Sequence, residues 1–471
     1  MPRVKSALFC GALLMTAACA TAPEYRRPAV PVPAEYKEAS GWQAAGTNVA
    51  PPGHWWEIFG DPVLNGLEAR IEQGNPSLFA AIARYEQARG LLGQARADQF
   101  PEVDAGADAE RTRLSAGRPL SGGNAATYNL VTVGPSLTYE LDLFGRVRNS
   151  VRAATAETEA SAADVAALRL GLEAQLATAY FQMRGLDART VLLQQTVAAY
   201  SHVYALIATR HQGGIASGVD LSRAENQLAS ARAELSAVAI DRQRDEHAIA
   251  VLVGDPPAAL SLPLVNQSIT APAVPAGLPS TLLERRPDIA AAERRVAEAN
   301  SRIGVARAAL FPSITLGLSG GFESTAGTLL SAANSFWTLG PLSAAMAIFD
   351  GGRRRAGVRI ARAQYEEAAA NYRQTVLTAF REVEDDLASQ RLLGTQERDQ
   401  QEAAAAADHT RDLALIRYRD GAADYLEVAT AQTAALDAER ALLEVRTLQL
   451  TTAVDTVRAT GGLYSSRGAA A

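Results

Sequence analysis

A mixed α and β fold whose plan is written twice is the class that the 471-residue sequence predicts. Three observations predict it. Blocks of sequence recur in one order roughly 200 residues apart, a far longer repeat than the ~20–50-residue units of solenoids. Short segments alternate apolar and polar side chains with the two-residue period of a strand. Two stretches of roughly 120 residues or more lack proline, so nothing in them breaks a long helix.

The recurrence is clearest at ARADQFP (95–101) and ARAALFP (306–312). Upstream, NPSLFAAIARYEQARGLLGQ from Asn75 aligns with RPDIAAAERRVAEANSRIGV from Arg286, and Pro76 and Pro287 keep the same spacing to the Phe-Pro pair. Downstream, GPSLTYELDLFGR from Gly134 answers GPLSAAMAIFDGG from Gly340. Further on, RHQGGIASGVDLSRAENQLASARAEL from Arg210 lies over RYRDGAADYLEVATAQTAALDAERAL from Arg417 without a gap. Four matches in one order make a tandem duplication.

From the N-terminus, basic Arg3 and Lys5 precede a short apolar stretch from Ala7 to Met15 and then small residues before Cys19. That is an export signal, too short in its apolar core to span a bilayer. The formal charge of −6 becomes −8 once Arg3 and Lys5 leave, which argues against a general nucleic-acid binder. Cys10 lies inside the signal, so Cys19 is left alone and cannot form an internal disulfide. Its place after Thr16-Ala17-Ala18 resembles a bacterial lipoprotein cleavage site, where the thiol takes a diacylglycerol; ordinary cleavage near Ala18 or Ala20 is the alternative.

Prolines 23, 28, 31 and 33 then favour an extended tether. The ordered body starts near WWEIFGDPVLNGL, where Leu64, Leu67 and Ile71 mark an amphipathic face leading into a helix that ends near the first Phe-Pro. Beyond Pro101 the period changes: Val103, Ala105, Ala107 and Ala109 alternate with Asp104, Gly106, Asp108 and Glu110. After a Gly- and Ser-rich loop, Leu137, Tyr139, Leu141 and Leu143 alternate with Ser136, Thr138, Glu140 and Asp142. The second half repeats the plan with Ile314, Leu316 and Leu318 against Thr315, Gly317 and Ser319, then SAAMAIF before Asp350. Each half thus carries one long-looped hairpin.

Residues 147–211 predict one continuous helix of about 95 Å at 1.5 Å per residue. Past Gly213-Gly214 the return helix places Leu221, Leu228 and Leu235 in one heptad position and Ala224, Ala231 and Val238 in another. Val428, Ala435 and Leu442, with Ala431, Ala438 and Val445, match them in the second half. A seven-residue repeat is a coiled-coil seam. Four two-faced strands make an open sheet with two unpaired edges, which lipid forbids; in a membrane several copies must share one closed barrel.

These residues resemble the TolC-like outer-membrane factor family, in its NodT-type lipoprotein branch, which serves tripartite efflux pumps. The resemblance rests on Cys19 with PEYRRP, WWEIFGDPVLNGL, the two Phe-Pro phrases, FGR from Phe144 with FDGG from Phe349, and the pair GGIASGVDL and GAADYLEVATAQ. It implies a homotrimer with a 12-stranded β-barrel, four strands per chain, continued by a long α-helical coiled-coil barrel in the periplasm. It further implies that Pro101, Pro135, Pro312 and Pro341 turn the chain at strand-to-helix joints. Implied partners are a periplasmic adaptor (membrane fusion protein), an inner-membrane transporter and outer-membrane lipid, with lipid attachment at Cys19. In such a barrel the polar parity puts Asp104, Asp108, Glu110, Glu140 and Asp142 on the lumen side.

The sixth residue after Gly214 is Asp220 and after Gly421 is Glu427; both resemble acidic sites near the family's periplasmic gate, and Tyr418 resembles a tyrosine that helps hold it shut. Ala423 and Thr430 depart from the pattern, standing where an arginine and an acidic residue occur. The histidines at 54, 202, 211, 247 and 409 have no metal-ligand spacing, so neither catalytic nor metal residues nor a cofactor is expected. A passive outer-membrane exit duct is the expected function, with a periplasmic coiled-coil adaptor or scaffold lipoprotein as the alternative and an exported hydrolase a distant third. The signals divide the chain into a signal peptide (1–18), a lipid-anchored extended segment (19–58), a first repeat (59–265), a Pro-rich linker (266–280), a second repeat (281–462) and a tail (463–471).

Overall fold

The computed structural model describes residues 22–39, 53–117, 124–265, 270–272, 274, 283–325 and 329–462; Cys19 lies outside them. The elements run α1 (Pro62–Gly74), α2 (Pro76–Ala97), β1 (Glu102–Leu114), β2 (Ala126–Glu140), α3 (Arg146–Gln212) and α4 (Gly218–Leu252). After the linker come α5 (Pro287–Ala308), β3 (Ser313–Ser324), β4 (Ser335–Ala345), α6 (Arg353–Arg419) and α7 (Tyr425–Ala459). Lengths recur between the halves: 22 residues in α2 and α5, 67 in α3 and α6, 35 in α4 and α7.

The chain forms two compact units, and each draws on both halves of the sequence. One unit takes Arg84–Ala162 and Ala291–Arg373 with the described residues up to Ala29. Its centre is a four-stranded antiparallel sheet in the order β1-β2-β3-β4. Along its helices the proline-rich N-terminal segment is docked rather than free. Arg27 donates from Nε to the Tyr372 hydroxyl at 2.9 Å, Tyr25 donates to Glu293, and the Pro23 carbonyl accepts from Asn300.

The other unit holds the described residues of Val30–Ala83, Ala163–Ala290 and Gln374 onward. Its core is built on the Leu64, Leu67 and Ile71 face of α1, all buried, against Leu176, Tyr180, Phe181 and Met183 of α3 and Val454 of α7. Asp61 starts α1 by accepting from the amides of Val63 and Leu64, which otherwise lack intrahelical partners, and its second oxygen accepts from the Tyr180 hydroxyl at 2.7 Å. One side chain therefore both caps the helix and pins it to the core. Fully buried Asp187 is neutralised by Arg184 and Arg242, at 2.7 and 2.5 Å.

Where the sequence pattern reads as one helix from Leu64 toward the first Phe-Pro, the structure has two. Asn75 is extended between them, caps α2 by accepting from Ser77 and Leu78, and donates to the Leu252 carbonyl. The break lets Gly74 press against the backbone after α4: a Cβ there would lie 2.2 Å from the Val253 oxygen. Pro76 follows without harm because a first-turn residue needs no intrahelical N–H.

On the buried face of α1, Glu68 has neither carboxylate oxygen hydrogen-bonded, and Glu173 nearby accepts from Trp55 Nε1 at 2.9 Å. Burial, reinforced by Glu173, pushes Glu68 well above the ordinary carboxylate range, and burial lifts Glu173 to about 7. The folded state therefore favours the protonated forms. Their contribution to stability is complete below the ordinary glutamate value and is lost as pH rises toward and through about 7. Glu68→Gln should raise the melting temperature of the detergent-solubilised protein most at pH 8 and progressively less toward pH 5, followed by circular dichroism; a gain independent of pH would show that charge is not its cause.

Candidate functional site: the two-faced sheet and the helical tip

Strand pairing fixes which residues share a face. Asp104 lies opposite Ser136, Asp108 opposite Thr132 and Glu110 opposite Leu130, while Glu140 lies opposite Thr315. Ser319 faces Ser136 and Thr338, so one face is lined mainly by acids, Thr, Ser and Gly, with Leu130, Tyr128 and Phe336 toward its far end. The other carries Val103, Leu137, Leu316, Leu318, Leu339, Leu342 and Trp337, the last 78% exposed. Among the described residues nothing covers this bare apolar face. It suits hydrocarbon, and the opposite face suits water.

Asp142 falls off the strand. β2 ends at Glu140, and Asp142 instead accepts from the amides of Val147 and Arg148 at the start of α3. The alternation had continued past the strand end because a helix-capping acid happened to sit on the polar parity. Glu140 itself is held by a two-pronged ion pair with Arg146, both contacts 2.7 Å.

Two of the four prolines expected at joints are elsewhere. Pro101 and Pro312 immediately precede β1 and β3, but Pro135 lies within β2 and Pro341 within β4. Pro135 has no N–H to offer, and the β2–β3 ladder skips its position between the Val133–Phe322 and Ser136–Ser319 pairs. Pro341 sits where β4 carries an irregularity, between the Leu316–Leu342 and Leu318–Leu339 pairs. Prolines are tolerated in sheets at such interruptions.

At the other site, α3 and α6 turn into α4 and α7 by the same device. Gly214 and Gly421 adopt left-handed φ values of 75° and 77°, and the chain closes back with Ile215 donating to the Arg210 carbonyl and Ala422 to that of Arg417. Ser217 and Asp424 then cap the return helices. Asp220 and Glu427 are each the third residue of the new helix, where the positive end of the helix dipole stabilises a carboxylate. Asp220 accepts from the Ser217 hydroxyl at 2.7 Å, and Glu427 pairs with Arg417 at 2.8 Å. Both acids thus hold the turns that carry them.

Tyr418 is buried, under the Arg210 guanidinium at 4.9 Å and edge-on to Tyr425 at 5.9 Å. Tyr425 donates at 2.6 Å to Gln227 of α4, tying the two return helices together, and burial raises its hydroxyl to about 12. Sequence reading missed Arg210, Arg417, Gln227 and Tyr425. A tyrosine directly after a capping Asp was visible; the glutamine partner, 198 residues away, was not. Of the heptad residues, Ala224, Leu228, Ala231, Val238, Val428, Ala431, Ala435 and Val445 are buried, and Leu221, Leu235, Ala438 and Leu442 half-buried.

Among the described residues no helix is long and apolar enough to cross a membrane, and no cluster of His, Cys, Asp and Glu could hold a metal ion. A two-faced sheet in one unit and paired helical hairpins in the other are the features of a membrane-channel subunit. The sequence profile of the family described as "Outer membrane efflux protein" matches residues 68–255 and 278–462. Outer membrane protein OprJ of Pseudomonas aeruginosa is 34% identical over 457 residues, 95% of this chain and 94% of OprJ. The outer-membrane channel OprN superposes with a TM-score of 0.89 at 32% identity, over 94% of this chain and 99% of that one. The Neisseria gonorrhoeae MtrE outer membrane channel, solved in its open state, gives 0.82 at 29% identity, over 95% and 99%.

The chain belongs to the outer membrane efflux protein family, and its role is that of the outer-membrane channel of an efflux pump. The periplasmic adaptor alternative finds no support among these relatives. Tyr425→Phe should take the donor from Gln227 Oε1, whose Nε2 still bonds Ala429 and Thr433, and weaken the tip by about 1 kcal/mol, read as faster amide exchange over residues 425–433 with exchange along α1 unchanged.

Proposed function

We propose that three copies of the chain close one 12-stranded barrel in the outer membrane and continue it as an α-helical tunnel into the periplasm. The observation that carries this reading is the sheet: among the described residues it has four strands, both edges open, one face apolar and one polar. Four strands cannot close on themselves, and an open edge in lipid leaves backbone groups unpaired. The two halves are quasi-equivalent staves of the tube, a reading supported by the recurring helix lengths and by the two stretches the family profile matches.

In this assembly Asp104, Asp108, Glu110 and Glu140 line the aqueous side of the barrel, and Asp220 and Glu427 from three chains gather at the periplasmic opening. Six confined carboxylates attract cations and repel anions. Tyr418 acts through packing, holding the tip that presents them. Substrate arrives from an inner-membrane transporter through a periplasmic adaptor, and the channel itself is passive. The duct makes and breaks no bonds.

Replacing both acids, Asp220→Ala with Glu427→Ala, should lower cation selectivity in planar bilayers while trimers persist by native mass spectrometry. Unchanged selectivity and conductance in intact trimers would put the gate elsewhere, and monomers in the unaltered protein would overturn the assembly.

Lipid attachment at Cys19 belongs to the same proposal, supported by the small residues before it and the extended segment after it. Mass spectrometry of the mature N-terminus should find acylated Cys19; a chain beginning unmodified at Ala20 or Thr21, or at Cys19 with a free thiol, would refute it.

A further inference from the structure

Two phenylalanines at the base of the sheet are stacked, and two in matching places are bare. Phe144, four residues past the end of β2, lies face to face with Phe311, two residues before β3; their centroids are 4.7 Å apart and their planes within 9°. Phe349 stands four residues past the end of β4, and Phe100 two residues before β1. These are 91% and 70% exposed.

We propose that Phe349 of one copy stacks on Phe100 of the next, so that the boundary between subunits repeats the Phe144–Phe311 contact within each. The proposal rests on the trimeric reading above and specifies its interface. Strand order supplies the first reason. β2 and β3 are the neighbours at which the two halves of the chain meet, while β1 and β4 are the outer strands of the sheet. A barrel closed by copies has to pair β4 with β1 of a second copy, so the residue leaving β4 meets the residue entering β1.

The backbone frames match as well. The Phe100 amide donates to the Ala97 carbonyl at 2.9 Å, and the Phe311 amide to that of Ala308 at 3.0 Å, the same tight turn before each strand. A left-handed glycine follows each exit aromatic, Gly145 directly after Phe144 and Gly351 two residues after Phe349, with φ values of 77° and 63°. The entry turns before β1 and β3 are thus alike, and each exit turn after β2 and β4 places an aromatic four residues beyond its strand.

Register gives a third, independent check. Glu140, the last residue of β2, pairs with Thr315, the third of β3. The equivalent pairing sets Ala345, the last residue of β4, opposite Asp104, the third of β1. Ala345 already pairs with Ser313 and Asp104 with Ser136, and both positions lie on the polar face. A slip of one residue would instead set the polar face of one copy against the apolar face of the next.

The test uses the full chain in outer membranes, oxidised and run on non-reducing gels. Phe100→Cys with Phe349→Cys should give a ladder of covalent dimers and trimers that collapses on reduction. Phe144→Cys with Phe311→Cys should give only a link within the chain, and each single variant, which retains Cys19, should give no ladder. Trimers without a ladder, or a ladder from either single variant, would overturn the stack while leaving the assembly intact; the absence of any oligomer would bring down the assembly itself. A second readout guards against loss of folding. Phe100→Leu and Phe349→Leu should each lower the temperature at which trimers dissociate in SDS, and the double variant should be no worse than the more severe single. Additive losses, as expected if each ring lay separately against lipid, would overturn the pairing.

Discussion

Every backbone N–H and C=O in a hydrocarbon layer has to find a partner, and the four-stranded sheet of this chain satisfies that demand only in its interior. Between β1 and β2 the ladder is continuous over 13 residue pairs from Glu102–Thr138 to Leu114–Ala126. Among the described residues the outer edges of β1 and β4 have no such ladder. Among the described residues neither sheet face has a protein core over it, so those residues do not stabilise the strands as the core of a soluble sheet would. What looks incomplete in one copy is the requirement for others, and the proposed barrel follows from it.

The helical unit solves a different problem. Long hairpins gain little from backbone hydrogen bonds alone, since those are exchanged with water, and depend on packing along their seams. Alanine at 224, 231, 431 and 435 keeps the facing helices close, and Gly185 brings α3 so near α7 that a Cβ there would meet Thr447 at 2.3 Å. The ends of the hairpins are fixed by capping: a left-handed glycine, a Ser or Asp cap, and an acid at the third position of the new helix. The acids proposed to act on permeating ions are held by these same local bonds. Their placement needs no dedicated scaffold.

Period and punctuation were legible in the sequence because each depends on neighbours in the chain. Alternation from Val103 to Glu110 and the proline-free run that becomes α3 required only local rules, and the heptads at Leu228 and Val428 found the seams. The misreadings at Asn75, Pro135 and Pro341 share one cause, pairing with a distant part of the chain that overrides a local signal. Asn75 breaks the first helix because its side chain is claimed by the Leu252 carbonyl, 177 residues away. Pro135 and Pro341 lie inside strands because the neighbouring ladders skip their positions, which no single strand reveals. Asp142 mimics a strand residue by parity while serving α3. Glu68, on the apolar face of α1, was invisible as a buried acid because helical periodicity reports position and not solvent.

Two halves that share a plan are most informative where they differ. On the polar face, β1 carries Asp104, Asp108 and Glu110, whereas the corresponding course of β3 runs through Thr315, Gly317 and Ser319 before Glu323. On the apolar face the bias reverses: β1 presents alanines, and β4 presents Trp337, Leu339 and Leu342. Backbone pairing constrains neither difference, since any of these side chains fits a two-faced strand. In a closed barrel of copies, β4 and β1 become neighbours, so the most lipophilic outer face adjoins the most acidic inner one at each subunit boundary. The strongest contrast across the wall, and the contact that seals it, would then fall on the same line.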